Sequence, residues 1–99
     1  MRMMMKVSIP VEAGNKGVAE GVLPKTIMAF VDQMKPEASF FGLDNGRRTA
    51  FFVFDMTENA MIPSAAEPFF MNLNASIEIQ PVMNLADMKT GVEKAMKQR

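Results

Sequence analysis

Lys6 and Ser8 lie two apart in Lys6-Val7-Ser8-Ile9, and Glu78 and Gln80 lie two apart in Ser76-Ile77-Glu78-Ile79-Gln80. Alternate residues of a β-strand share a face. Each pair therefore projects from the polar side of a strand whose other side is apolar. A desolvated Lys6 would have a lowered pKa and would serve as a base or amine nucleophile. Glu78 would pair with it or act as acid and base. Ser8 and Gln80 would hydrogen-bond a ligand carbonyl. Arg48 and Asp55, at opposite ends of one long strand, would close a cavity above that face. These five candidates for ligand contact, Lys6, Ser8, Glu78, Gln80 and Arg48, also have a plainer reading. Lys6 and Glu78 then form a cross-strand ion pair contributing about 0.2–1 kcal/mol, and Arg48 is a solvated strand end.

The absences narrow the chemistry further. The chain has no cysteine, no histidine, no tryptophan and no tyrosine. Disulfides, thiol nucleophiles and thiolate metal sites are excluded. So are histidine-dependent triads and most transition-metal sites. No metal and no cofactor is expected. The 12 methionines are scattered without ligand spacing and read as adaptable core filler. No two carboxylates have the spacing of a glycosidase or a calcium loop. Eleven basic and 11 acidic residues balance to zero formal charge, which argues against a nucleic-acid partner. No apolar run approaches the ~20 residues of a membrane span. With no export signal in the sequence, a cytoplasmic location is expected.

The elements that would position these residues follow from periodicity. The organising stretch is Arg47-Arg48-Thr49-Ala50-Phe51-Phe52-Val53-Phe54-Asp55-Met56, apolar on both sides of a pleat and so a central strand. Asn45-Gly46 before it is the preferred centre of a type I′ hairpin turn. That turn pairs 44 with 47, 41 with 50 and 39 with 52. It sets Phe41, Leu43, Ala50, Phe52 and Phe54 on one face, and Ala38, Phe40, Phe51 and Val53 on the other. Residues 3–11 alternate as a first strand with Met3, Met5, Val7, Ile9 and Val11 on its apolar face. Asn15 is expected to cap a helix over 16–34, which Pro24 kinks or restarts near residue 23. A short helix ends near Asn72, made irregular by Pro68. Residues 75–82 form a fourth strand, placed at an edge by Pro81. Asn84 and Asp87 form a near capping box for a last amphipathic helix, whose final turn carries Lys94, Lys97 and Arg99. Asp44 and Arg47 read as solvated turn charges, Glu12 and Asn15 as pocket rim or cap, and Glu67 as a surface residue.

This order is a single α+β domain over 1–99, ferredoxin-like βαββαβ plus a C-terminal helix. Right-handed crossovers give an antiparallel sheet ordered 4-1-3-2. Two crossover helices cover one face, and the last helix covers at most part of the other. Several large apolar groups would then face water, each forgoing roughly 1.5–3 kcal/mol. A homodimer with sheet against sheet is expected.

The runs Lys6-Val7-Ser8-Ile9-Pro10-Val11-Glu12-Ala13-Gly14-Asn15, Arg48-Thr49-Ala50-Phe51-Phe52-Val53-Phe54-Asp55 and Ala66-Glu67-Pro68-Phe69-Phe70 resemble those of small bacterial proteins of the dimeric α/β-barrel superfamily. The resemblance spans nearly the whole chain. The superfamily includes cofactor-free antibiotic-biosynthesis monooxygenases, muconolactone isomerases and haem-degrading enzymes. The missing histidine departs from the haem-degrading branch. The resemblance implies a dimer binding a small, mostly apolar molecule in a sheet-lined cavity, with cofactor-independent oxygenase or isomerase activity as the enzymatic form. The alternative is a non-catalytic dimerisation or regulatory module with no ligand site.

Overall fold

A computed structural model describes residues 1–98. Its elements run β1 (Arg2–Ile9), α1 (Val11–Ala19), α2 (Val22–Met34), β2 (Ala38–Asp44), β3 (Arg47–Asp55), α3 (Met61–Leu73), β4 (Ser76–Pro81) and α4 (Leu85–Lys97). The strands form one antiparallel sheet ordered β2-β3-β1-β4. This is the expected ferredoxin-like order, with its first crossover divided between two helices. Arg99, read above as part of the last helical turn, lies outside the described residues.

The hairpin forms in the expected register, with Asp44 opposite Arg47, Phe41 opposite Ala50 and Ser39 opposite Phe52. Asn45 and Gly46 both take positive φ, 55° and 74°, as a type I′ turn requires. On the covered side of the sheet, Met3, Met5, Val7, Ile9, Phe52 and Phe54 are buried with Phe30 of α2 and Phe69 and Leu73 of α3. The Phe30 ring lies 4.5 Å from Phe52, 5.6 Å from Phe54 and 5.6 Å from Phe69. These are separations at which aromatic pairs add about 0.5–1.5 kcal/mol beyond area burial.

Three boundaries differ from the sequence reading, each for a backbone reason. The first strand ends at Ile9, not Val11. Pro10, at φ −56°, has no N–H for the ladder and a torsion suited to starting a helix. Its carbonyl accepts from the Gly14 N–H at 2.8 Å. Val11 thus leaves the strand and is exposed. Asn15 is consequently inside α1 and caps nothing. The expected helix over 16–34 is two helices, separated at Gly21, which takes φ 76°. Pro24 then falls in the first turn of α2, where its missing N–H costs no intrahelical bond. Pro68 lies inside α3, and Asn74 ends that helix in the left-handed region at φ 51°.

The last helix has the capping box in full. Asn84 Oδ1 accepts from the Asp87 N–H at 2.8 Å, and Asp87 Oδ2 accepts from the Asn84 N–H at 3.3 Å. However, α4 covers no part of the sheet. None of its residues is buried, and Leu85, Met88, Val92 and Met96 all face out. Its first turn is tethered through Asp87, whose Oδ2 lies 3.4 Å from the Arg2 guanidinium. No helix among the described residues is long and apolar enough to cross a membrane.

Phe52 is fully buried at the centre of the aromatic cluster. Phe52→Ala is expected to lower unfolding free energy by about 3–5 kcal/mol. Met71→Ala, at a position 80% exposed, is expected to change it by less than about 0.5 kcal/mol. Urea denaturation followed by circular dichroism measures both.

Candidate functional site

The side of the sheet away from α1, α2 and α3 is open. Strand alternation brings Met4, Lys6 and Ser8 to it from β1, Phe51 and Val53 from β3, Phe40 and Asp44 from β2, and Glu78 and Gln80 from β4. Lys6 sits at the middle, directly opposite Phe51 on one side and Glu78 on the other. Ser8 pairs with Ser76, and Gln80 with Met4. At a rise of ~3.3 Å per residue, Ser8 and Gln80 are separated by about 13 Å along the strands. They flank the Lys6–Glu78 pair and do not converge on one ligand atom.

The electrostatics differ from the sequence reading. Lys6 Nζ makes an ion pair with Asp44 Oδ2 and lies 3.9 Å from Glu78 Oε2. The hydrogen bond to Asp44 is the largest influence on Lys6. Together with the carboxylate charges it outweighs desolvation and raises the lysine pKa above its ordinary value of 10.5. The expected lowered pKa, and with it a lysine base or nucleophile, is therefore corrected: Lys6 is held as a cation. Asp44 was read only as a turn charge. It reaches Lys6 because β2 positions 38, 40, 42 and 44 share the open face and a lysine side chain spans the intervening strand.

Two shallow concavities flank Lys6. One, of about 400 Å³, is bordered by Ser8, Asp44, Arg47, Ser76 and Glu78. The other, of about 170 Å³, lies between Met4, Phe51, Glu78 and Gln80. Around them the face is apolar, with Phe40 65% exposed. Asp55 is engaged by the N-terminal amine at 2.7 Å. Glu12 and Glu67 are exposed.

Arg48 does not join this cluster. It shares a strand face with Ala50, Phe52 and Phe54 and so projects to the helix side. There its Nη1 donates to Asn15 Oδ1 at 3.1 Å. It borders a groove of about 430 Å³ between α2 and β2, lined by Ile9, Leu23, Ile27, Met28, Phe41 and Ala50. The groove exists because β2 lies outboard of α2. Phe41 and Leu43 are on the helix side as expected, yet remain 58% and 79% exposed. Their apolar character was legible in the sequence; the failure of α2 to reach them was not.

No group of three or more acidic or histidine side chains capable of holding a metal occurs among the described residues. No protein-family model matches the chain, and no curated protein matches it.

The raised Lys6 pKa gives a test. Its Cε signal in a carbon-13 NMR titration is expected to move at a pH above 10.5. Asp44→Asn is expected to bring that midpoint down. With the folded pKa above the unfolded one, the contact stabilises fully below the ordinary lysine value. Its contribution is lost as pH rises through the raised pKa. On the alkaline side, the stability gap between wild type and Asp44→Asn should therefore close only as pH rises through the raised lysine value.

Proposed function

We propose that two copies associate open face to open face as a homodimer of the dimeric α/β-barrel kind, and that the enclosed space binds a small, mostly apolar molecule. The observation that carries this reading is the open face itself. Met4, Phe40, Phe51 and Val53 surround the Lys6 cluster on a side that no helix of the chain covers. Each large side chain left in water forgoes roughly 1.5–3 kcal/mol, a heavy loss against a total stability of about 5–15 kcal/mol. A four-stranded face measures about 19 Å by 20 Å from strand spacing and rise. That is about half of the ~800 Å² per partner in a standard interface, and Leu85, Met88, Val92 and Met96 of α4 are bare apolar groups that a partner could cover as well.

The concavity between Met4, Phe51 and Gln80 supports a ligand site at the centre of that interface. Two of them, each of about 170 Å³, facing across a two-fold axis reach the lower limit of about 300 Å³ for small-molecule cavities. Lys6, as a cation already partnered by Asp44, donates to a ligand oxygen and takes no proton from it. Any oxygenase or isomerase activity of the kind implied by the resemblance would then depend on substrate positioning and on Glu78. A second reading, a dimerisation module without a ligand, is favoured by one observation: Asp44 already occupies the Lys6 ammonium.

Light scattering after size exclusion is expected to give twice the chain mass, and Phe51→Glu is expected to give a monomer that stays folded by circular dichroism. A wild-type monomer at high concentration would defeat the proposal. If the dimer persists but thermal-shift screening with small aromatic and polyketide-like compounds gives no response that Lys6→Met removes, the module reading replaces the ligand reading.

A further inference from the structure

Arg48 is a cation without a counter-charge at the end of an apolar groove. It is half-buried, and among the described residues no carboxylate lies within ion-pairing distance of it. Its one side-chain partner is the neutral amide of Asn15. A guanidinium has five N–H donors, so Asn15 uses one and fixes the fork. Gly14 fixes its seat: a Cβ there would stand 2.6 Å from Arg48 Nη1, so the missing side chain lets the guanidinium settle on the α1 backbone. The cation is thus held at the groove by α1, while the walls come from α2 and β2.

We propose that this groove binds an apolar carboxylate, with the hydrocarbon body against Leu23, Ile27, Met28 and Phe41 and the carboxylate on Arg48. The site is distinct from the open face, being on the opposite side of the sheet, and it does not depend on dimer formation. A planar guanidinium takes a carboxylate through two parallel hydrogen bonds. The groove volume of about 430 Å³ falls within the ~300–1,000 Å³ usual for small ligands. Neutral and cationic ligands of the same hydrocarbon length gain the apolar contact but leave Arg48 unpaired. A lysine at this position would supply charge without the fork.

The test is a nitrogen-15 amide NMR titration of the full chain with decanoate, decanol and decylamine, with oligomeric state followed in parallel. Decanoate is expected to shift Ile27, Phe41, Arg48 and Ala50 and to bind at least about tenfold more tightly than decanol, the gain of a charge-assisted pair. Decylamine is expected to bind no better than decanol. Arg48→Gln is expected to abolish the preference for decanoate while leaving decanol binding in place, and Arg48→Lys to retain only part of it. Should Arg48→Gln fail to fold, the head-group series on the wild type decides alone. Equal binding of decanoate and decanol, shifts confined to Met4 and Phe51, or no binding at millimolar decanoate overturns the proposal. So does binding that emerges only after deletion of residues 85–99, because the groove would then belong to the last helix of a second copy.

Discussion

The crossover helices of a ferredoxin-like chain cover one side of its sheet, and β3 is apolar on both. That mismatch governs the structure. Phe52 and Phe54 point toward α2 and α3, where Phe30 and Phe69 close over them and the core is complete. Phe51 and Val53, the alternate residues of the same strand, point the other way, where only their neighbours on the sheet partly cover them. Phe40 on that face and Leu85, Met88, Val92 and Met96 of α4 are exposed as well.

Local sequence made much of this fold legible. The Asn45-Gly46 turn set the hairpin register residue by residue, because both torsions it needs are ones those residues tolerate. Alternation in β1 identified Met3, Met5, Val7 and Ile9 as buried. Pro81 placed β4 at an edge, and Asn84 with Asp87 marked the start of α4. The misplacements had a common cause, a backbone event that outranked the side-chain pattern. Val11 continued the apolar alternation, but Pro10 had already left the ladder. Asn15 had the right side chain for a cap, but the helix had begun four residues earlier.

The candidate site was harder to read, because its decisive features are distances across the sheet. The Lys6–Glu78 pairing follows from strand register and was accessible. The partnership of Lys6 with Asp44 was not, because it spans two strands and depends on sheet twist and a long side chain. It changes the chemistry by keeping Lys6 charged. Arg48 is the reverse case. Its parity with Ala50 and Phe52 placed it on the helix side, but nothing local disclosed that Asn15 and Gly14 would receive it there. The two cations therefore differ in kind. Lys6 has two carboxylates beside it, and Arg48 has none among the described residues.

The outer strand of the hairpin carries a further implication. Ala38-Ser39-Phe40-Phe41-Gly42-Leu43 has no charge and no proline, and one margin of β2 has no neighbouring strand. Unpaired main-chain amides and carbonyls along such a margin are a template for another chain to add to. A short, uncharged, aromatic segment is also the kind that stacks into cross-β fibrils. Natural sheets usually guard this position with lysine, proline or a bulge; here Pro36 and Glu37 before the segment and Asp44 after it stand only at its ends. Opening of the hairpin would leave this segment bare to a second copy of itself, so the same strand that completes the sheet is also where the chain is least guarded against self-association.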